Sequence, residues 1–273
     1  MNEEEKIMFS KKLTTPIEEL TIKQKSLLFA ELSQLAYSNK KDATNGAKRL
    51  GFTTVEYYNN RGAQAYRFMN KNNFVIACRG TEATQLNDIK ADINAWPTKS
   101  ETVSYVHSGF KREVDKIWPA LEEDIARESG KRNVWFCGHS LGASMATIIA
   151  SRCTGSRICP NPIELYTYGS PRVGFRHFVQ HERIIHYRWV NNNDIVTRVP
   201  LWLMGYRHDG RRMYLNTWGN VRKFTPWQRT KDKFRGMWRG IKKGKIDNFS
   251  DHLIDGYIEH INNWTNGKEN PQI

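Results

Sequence analysis

The chain has 273 residues, and its 42 Lys and Arg against 28 Asp and Glu give a formal net charge of +14 and a pI near 9.6. Hydrophobic residues make up 39% of the chain and aromatic residues 12%, which is enough for a core and excludes disordered, collagen-like and coiled-coil proteins. No apolar run in the sequence approaches the roughly 20 residues that a membrane-spanning helix needs.

The first predicted helix follows the tetrapeptide Thr21-Ile22-Lys23-Gln24, which has the form of a capping box. Leu28, Leu32 and Leu35 then recur at helical spacing. Three short apolar or alternating runs come next, at 54–58, 65–69 and 74–78, with turn residues between them. This pattern predicts a meander of three strands.

Strands and helices alternate through the middle of the chain. The pattern predicts a helix over 113–129, a buried strand over 133–137 and a second helix starting near Ser140. Further strands are predicted at 163–168 and 184–190. This alternation is typical of an α/β fold whose central sheet is mostly parallel and flanked by helices.

The last part of the chain begins with Tyr206 to Leu215, which centres on Asp209-Gly210 and predicts a hairpin with a type I′ turn. A final helix is predicted from about Asp251. We expect residues 1–20 to be an N-terminal extension and 21–273 a single domain, since one α/β domain often reaches about 250 residues.

Residues 138–142, Gly-His-Ser-Leu-Gly, lie between the predicted buried strand and the helix that follows. This is the context of a G-x-S-x-G nucleophile elbow, in which a tight turn lifts the Ser140 hydroxyl above the sheet. The backbone N–H of Leu141 would face the developing oxyanion. The structural alternative is an ordinary Gly-rich turn.

A serine nucleophile needs a basic histidine, and that histidine needs an orienting carboxylate. Asp194 follows an apolar strand, and His252 begins the last helix, so both follow Ser140 in the expected order. His208 and His260 also follow Asp194, but His208 lies in the predicted hairpin and His260 late in a helix. The structural alternatives are a helix or turn cap for Asp194 and a surface histidine for His252.

Motifs along the chain together resemble the class 3, or fungal-type, lipase family of the α/β-hydrolase fold. They are the strand 74–81 ending in Arg-Gly-Thr, the His-Ser-Gly-Phe stretch 107–110, the elbow 138–143, the Tyr-Gly-Ser-Pro-Arg-Val-Gly stretch 168–174, the Asn-Asp-x-Val-x-Arg-x-Pro stretch 193–200 and Asp251-His252. The resemblance covers roughly residues 21–262, with the motifs in the family's order.

The resemblance implies that Ser140 is the nucleophile, Asp194 the acid and His252 the base. It also implies that Thr81 and Leu141 donate to the oxyanion. The alternative to a catalytic role for Thr81 is a structural one, as a cap at the end of the strand.

Two further features follow from the comparison with the family. The resemblance relates Asp92 to the carboxylate that braces the family's oxyanion loop. Fungal members carry a short apolar lid after the oxyanion residue, whereas residues 82–90 hold only Leu86 and Ile89 as large apolar side chains.

The segment 207–245, between the proposed acid and base, holds 13 basic and two acidic residues, a net charge of +11. Phe234, Met237, Trp238 and Ile241 fall on one face of a helix, although two glycines weaken that helix. This composition predicts peripheral contact with an anionic membrane. A solvated loop covering the sheet and, less favoured, a nucleic-acid surface are the alternatives.

We therefore expect a serine carboxylic-ester hydrolase, a lipase or esterase acting on lipid esters through an acyl-enzyme on Ser140. Acylglycerols, phospholipids cleaved as by a phospholipase A1, and simpler esters all remain open as substrates. The alternative from another class is a catalytically silent membrane- or nucleic-acid-binding protein on the same fold. Nothing in the sequence implies a metal or organic cofactor, and it leaves the oligomeric state open.

Two observations predict a cytoplasmic protein, with peripheral membrane contact as an option. The chain opens with Met-Asn-Glu-Glu-Glu-Lys, which is acidic where a signal peptide is basic. Cys78 and Cys137 lie inside apolar runs, and Cys153 and Cys159 do not complete a metal-ligand spacing. All four are expected to be reduced.

Overall fold

The computed structural model describes residues 8–81, 96–181, 183–242 and 250–268, with residues 226, 236–242 and 250 described for the backbone only. Asp92 and the segment 82–90 therefore lie outside the described residues. The helices are α1 (Ile22–Leu35), α2 (Lys40–Leu50), α3 (Ser108–Glu128), α4 (Leu141–Gly155), α5 (Arg176–His181), α6 (Pro226–Lys242) and α7 (Ile254–Thr265), with short 3-10 turns between several of them.

An eight-stranded sheet runs through the molecule in the order β1-β2-β3-β6-β7-β9-β11-β12. Its strands are β1 (Thr54–Asn60), β2 (Ala63–Met69), β3 (Asn73–Cys78), β6 (Asn133–His139), β7 (Glu164–Tyr168), β9 (Ile185–Asn191), β11 (Arg211–Leu215) and β12 (Val221–Arg222). The first three form the predicted antiparallel meander, and β3, β6, β7, β9 and β11 are parallel. The predicted α/β-hydrolase fold, with a mostly parallel sheet flanked by helices, is confirmed.

A second sheet, in the order β10-β8-β5-β4, lies beside the first and was not predicted. Its strands are β4 (Pro97–Lys99), β5 (Tyr105–His107), β8 (Gly174–Phe175) and β10 (Tyr206–Arg207). Strands of two or three residues are too short to show a periodic pattern in the sequence.

Helix α1 begins with the predicted capping box: Thr21 Oγ1 accepts from the Gln24 N–H at 3.3 Å, and the Gln24 side chain accepts from the Thr21 N–H at 3.0 Å. Every residue from Lys25 to Leu35 is buried, because α1 lies between the sheet and α7. Lys25 is tolerated there because its ammonium pairs with Glu164 at 3.0 Å.

Each face of the central sheet carries its own core. One core combines α1, α2 and α7 with Tyr166, Tyr168 and Trp189, and the other combines α3 and α4 with Ile76 and Phe136. Cys78 and Cys137 are fully buried in these cores, as predicted for small hydrophobic residues.

The hairpin predicted at 206–215 is wrong. Asp209-Gly210 does turn the chain, but β10 before it joins the small sheet, and β11 after it pairs in parallel with β9. Asp209 Oδ2 lies 2.9 Å from Nδ1 of the buried His186, so the turn is tied to β9 instead of closing a two-stranded ribbon.

Helix α2 was also missed, because its sequence is polar and contains Gly46. Its N-cap is Asn39, whose side chain accepts from the Asp42 N–H at 3.0 Å. An added Cβ at Gly46 would lie 2.5 Å from a Leu35 methyl, so the glycine permits close packing of α2 on α1. No helix among the described residues has the length and apolarity to cross a membrane.

Candidate active site

Ser140 occupies the turn between β6 and α4, as the sequence predicted. Its backbone has φ 59° and ψ −129°. This conformation is strained for any residue that has a side chain, and such strain is typical of functional positions. A Cβ added to Gly138 would lie 2.3 Å from the carbonyl oxygen of Gly142. A Cβ added to Gly142 would lie 2.2 Å from the carbonyl oxygen of Cys78. The flanking glycines are therefore required by close backbone contact.

The carboxyl ends of the parallel strands bring the distant candidates together. β6 leads into Ser140, β7 into Gly169 and β9 into the loop that carries Asp194, so all three reach the same edge of the sheet. Asp194 is fixed at this edge, because its N–H donates to Asn191 O at 2.8 Å and its Oδ1 accepts from the Val196 N–H at 2.9 Å.

His252 meets Asp194 at the same edge. Its Nδ1 lies 2.9 Å from Asp194 Oδ2 and 3.0 Å from Oδ1, and both side chains are buried. Since a carboxylate only accepts, Nδ1 carries the proton and Nε2 keeps its lone pair. Within the described residues, neither His252 Nε2 nor Ser140 Oγ has a hydrogen-bond partner, so the serine–imidazole hydrogen bond of a catalytic triad is not formed in this structure.

Two partners keep Asp194 ionised. Burial opposes the charge, but the interaction with His252 and the hydrogen bonds from His252 and Tyr257 outweigh it, so the pKa of Asp194 lies below its ordinary value. The Tyr257 hydroxyl donates to Asp194 Oδ2 at 2.6 Å and accepts from the Asn191 N–H at 3.0 Å. The sequence analysis missed Tyr257, because it shares the apolar face of α7 with Ile258 and Ile261.

His139 supports the backbone of the proposed base. Its Nε2 lies 2.6 Å from the carbonyl oxygen of His252, and its Nδ1 lies 2.8 Å from the Tyr37 hydroxyl. A carbonyl only accepts, so Nε2 is the protonated nitrogen and Nδ1 accepts from Tyr37. Burial lowers the pKa of His139 to about 3, which keeps this neutral tautomer in place.

Gly169 lets the acid and base approach the strand end. It has φ +59°, and an added Cβ would lie 2.8 Å from both Asp194 Oδ2 and His252 Nδ1. The sequence analysis included Gly169 in a family motif but gave it no role. Any side chain at this position would separate the carboxylate from the imidazole.

Thr81 and Leu141, the two predicted oxyanion donors, both lie next to the elbow in the chain's fold: Leu141 follows Ser140, and Thr81 follows Gly80, where an added Cβ would lie 3.1 Å from Ser140 Cβ. Thr81 follows the end of β3 by three residues and is half-buried, while Leu141 is the first residue of α4. The first N–H groups of a helix have no partner within it and carry partial positive charge.

The two other histidines considered as bases are placed elsewhere: His208 Nε2 donates to Thr197 O at 2.8 Å, and the His260 ring lies against Gly219.

The described residues contain no group of three or more His, Cys, Asp or Glu side chains that could hold a metal ion. The candidate site brings a buried serine, an imidazole and a carboxylate to one edge of an α/β sheet, the arrangement of a serine hydrolase of the α/β-hydrolase class.

Comparison with known proteins agrees with this arrangement. Residues 75–204 match the family described as Lipase (class 3), the family that the sequence motifs resemble. The triacylglyceride lipase of Rhizomucor miehei has a similar fold, with a TM-score of 0.61 and 22% identity over 72% of this chain and 82% of that one.

Sequence relatives match over shorter regions. "Toxin TseL" of Vibrio cholerae is 40% identical over 102 residues, which are 37% of this chain and 16% of that protein. "Secreted mono- and diacylglycerol lipase 1" of Fusarium solani is 33% identical over 117 residues, 41% of this chain and 34% of that protein. The chain thus spans about a third or less of the length of these relatives.

The predicted cytoplasmic location is wrong, because the mono- and diacylglycerol lipases that the chain resembles are secreted proteins. The cysteine argument failed for a physical reason. All four thiols are buried, so the protein shields them from exchange in any compartment, and their spacing carries no information about location.

Proposed function

We propose that this protein is a serine carboxylic-ester hydrolase that cleaves lipid esters, with Ser140 as nucleophile, His252 as base and Asp194 as the orienting acid. The observation that carries the proposal is the buried His252–Asp194 pair, 2.9 Å between Nδ1 and Oδ2, at the sheet edge where the elbow presents Ser140.

In the proposed reaction, His252 Nε2 takes the Ser140 proton as Oγ attacks the ester carbonyl carbon. The tetrahedral oxyanion accepts hydrogen bonds from the backbone N–H groups of Thr81 and Leu141. Collapse of this intermediate breaks the ester bond, and His252 returns the proton to the departing alcohol. Water then attacks the acyl-enzyme by the same route and releases the carboxylic acid.

Exposed apolar side chains support a lipid substrate. Leu201, Trp202, Leu203 and Met204 are consecutive and exposed, Leu203 by 73%, in the loop that continues from Asp194. On α6, Trp227 and Phe234 are seven residues apart, hence on one face, and are 67% and 57% exposed. We infer that these exposed side chains and the basic segment 207–245 contact an anionic membrane. The name of the R. miehei relative, triacylglyceride lipase, separately favours a lipid substrate.

The test is hydrolysis of a p-nitrophenyl ester by the full chain and its Ser140→Ala variant. We expect a loss of about a thousandfold or more, because removing the nucleophile leaves only oxyanion stabilisation and binding. Ser144→Ala is the matched control, since Ser144 is also buried on α4 one turn further along. Equal rates for wild type and Ser140→Ala would refute the proposed function.

A further inference from the structure

A set of cationic side chains gathers beside the Asp194 loop. The parallel register of β9 and β11 places Arg188 directly opposite Arg212, and the period-2 alternation puts both on one face of the sheet. Like charges at directly opposed positions of a sheet destabilise it. The chain nevertheless has two arginines there.

Helix α6 adds two more cations to this face. Its Asp232 accepts from the Tyr214 hydroxyl at 2.9 Å, and the carbonyl oxygen of Lys233 accepts from Asn193 Nδ2 at 3.1 Å. These contacts fix the turn of α6 that carries Arg229 and Lys233 over β11 and next to the Asp194 loop.

Two loop arginines complete the set. Arg172 Nη1 donates to the carbonyl oxygen of Pro200 at 2.7 Å, and Arg198 Nη2 donates to Asn193 Oδ1 at 3.0 Å. Both acceptors are neutral, so each guanidinium is held in place without being neutralised.

We call this set the cationic cluster; its members are Arg172, Arg188, Arg198, Arg212, Arg229 and Lys233. In the described part of the chain, no carboxylate forms an ion pair with any of them. Three nearby acids have other hydrogen-bond partners: Asp209 contacts His186, Asp232 accepts from Tyr214 and the Thr217 N–H, and Asp251 accepts from the Asn193 N–H at 3.2 Å. Arg188 is buried, whereas Arg198 and Arg212 are exposed.

The charge of the cationic cluster is costly to the protein by itself. Burial, together with the neighbouring arginines, lowers the pKa of Lys233 to about 8 and that of Arg188 to about 9. Burial and the arginines also lower the pKa of the neighbouring His208 well below its ordinary value. A bound anion would offset the part of this cost that comes from repulsion between the cations.

We propose that the cationic cluster is a binding site for a phosphate group. Several guanidinium groups on one face suit the tetrahedral oxygens of phosphate, because each arginine can donate two parallel hydrogen bonds. The source is either the head group of an anionic phospholipid or a soluble phosphate ester. This site goes beyond the proposed hydrolysis and does not depend on the chemistry at Ser140.

Calorimetric titration of the full chain with inorganic phosphate and with glycerol 3-phosphate tests the site. We expect saturable binding with one phosphate per chain, weakened about tenfold or more by Arg212→Gln or by Lys233→Gln, because a hydrogen bond to a charged group is lost. Arg211→Gln is the matched control, since Arg211 is adjacent on β11 but points to the opposite face. It should change the affinity less than twofold.

Thermal unfolding provides an independent measurement. Without phosphate, Arg212→Gln should unfold at the same temperature as wild type or higher, since repulsion is relieved, and it should lose the rise in Tm that phosphate produces in wild type. Vesicles of phosphatidic acid and phosphatidylcholine distinguish the sources: tighter binding to phosphatidic acid than to glycerol 3-phosphate identifies a lipid head group, and equal binding a soluble ester.

Two results would overturn the proposal. One is the absence of saturable phosphate binding by wild type. The other is an equal loss on Arg211→Gln and Arg212→Gln, with single-stranded RNA competing equally in both, which would indicate a general polyanion surface.

Discussion

At the scale of single residues, the candidate site depends on hydrogen bonds that fix protonation states. Asp194 accepts from His252, Tyr257 and the Val196 N–H, so its two oxygens have three donors in a buried position. A buried carboxylate is stable only when it is hydrogen-bonded in this way. Tyr257 is thus a positioning residue that acts through Asp194.

Replacing Tyr257 by Phe should lower kcat/KM for a soluble ester by about tenfold, since one hydrogen bond to a charged group is worth about 1.5–3 kcal/mol and part of it is replaced by neighbours. Loss of a donor to the ionised form raises the pKa of Asp194, so the acid-side fall in activity should begin at a higher pH than in wild type. The pH profile of kcat/KM measures this. Tyr187→Phe is the control, because it removes a tyrosine hydroxyl from the sheet face that also carries Tyr166. Identical pH profiles for the wild type, Tyr257→Phe and Tyr187→Phe would contradict the role of Tyr257.

The residues of the proposed triad were predictable, because each stands at the end of a recognisable strand or helix in a fixed chain order. Tyr257 and His139 were not predictable as supports. Their partners lie 63 and 113 positions away, and burial on an apolar face looks the same in sequence whether or not a hydroxyl or imidazole finds an acceptor.

At the scale of elements, the capping box of α1 was read from the sequence, whereas that of α6 was overlooked. Helix α6 begins with the same signature as α1: Thr225 Oγ1 accepts from the Gln228 N–H at 3.3 Å, the Gln228 side chain accepts from the Thr225 N–H at 2.8 Å, and Pro226 is the first helical residue. The sequence analysis used only the apolar face that includes Phe234 and predicted no start for this helix. Of that face, only the Phe234 side chain is among the described ones.

The exposed face of α6 gives a test of membrane contact. Replacing Trp227 and Phe234 together by Ser should weaken sedimentation with vesicles rich in anionic lipid, because both side chains lose apolar area that would otherwise insert at the interface. Added salt should weaken binding of the wild type as well, since each Lys or Arg near the surface contributes about 1 kcal/mol that screening removes.

A matched control keeps this test specific to α6. Ile185 is also an exposed apolar residue, but it begins β9 at the opposite edge of the sheet from the Asp194 loop. Ile185→Ser should leave vesicle binding unchanged. Equal binding to neutral and anionic vesicles would rule out the membrane role of the basic segment.

At the scale of the whole molecule, the sequence predicted the class, the meander and a mostly parallel central sheet, but not the second, smaller sheet. The meander and parallel strands have apolar runs of five residues or more, which carry a pattern. The small sheet depends on contacts between distant loops, such as Val106 with Gly174, and no local pattern encodes them. The same reason explains the wrong hairpin, since Asp209 bonds to His186 and not to a neighbour in sequence.

Buried neutral histidines should make the whole molecule sensitive to acid. Burial lowers the pKa of His139 to about 3, and burial also lowers the pKa values of His208 and His260. The unfolded chain protonates these groups near pH 6.5 whereas the folded protein does not. Their stabilisation is therefore complete above about pH 6.5 and is lost as the pH falls toward the folded pKa values, by up to about 1.4 kcal/mol per pH unit for each.

Urea unfolding at pH 7.5, 6.5 and 5.5 measures this dependence. The midpoint should fall below pH 6.5, and His208→Gln should show a shallower fall than wild type, since one proton fewer is taken up on unfolding. The lowered pKa of Asp194 adds a further loss only below about pH 4. A midpoint that stays constant between pH 7.5 and 5.5 would contradict the prediction.

Helices α1 and α7 lie side by side, with Lys23 Nζ donating to the carbonyl oxygen of Trp264 at 3.1 Å across 241 positions of sequence. This contact has a consequence for protein synthesis. A chain that has left the ribosome only as far as residue 250 has the elbow and the carboxylate but not His252, and α1 still lacks its partner. The proposed triad is complete only after His252 has been synthesised, so we expect a nascent chain to have no esterase activity before that point.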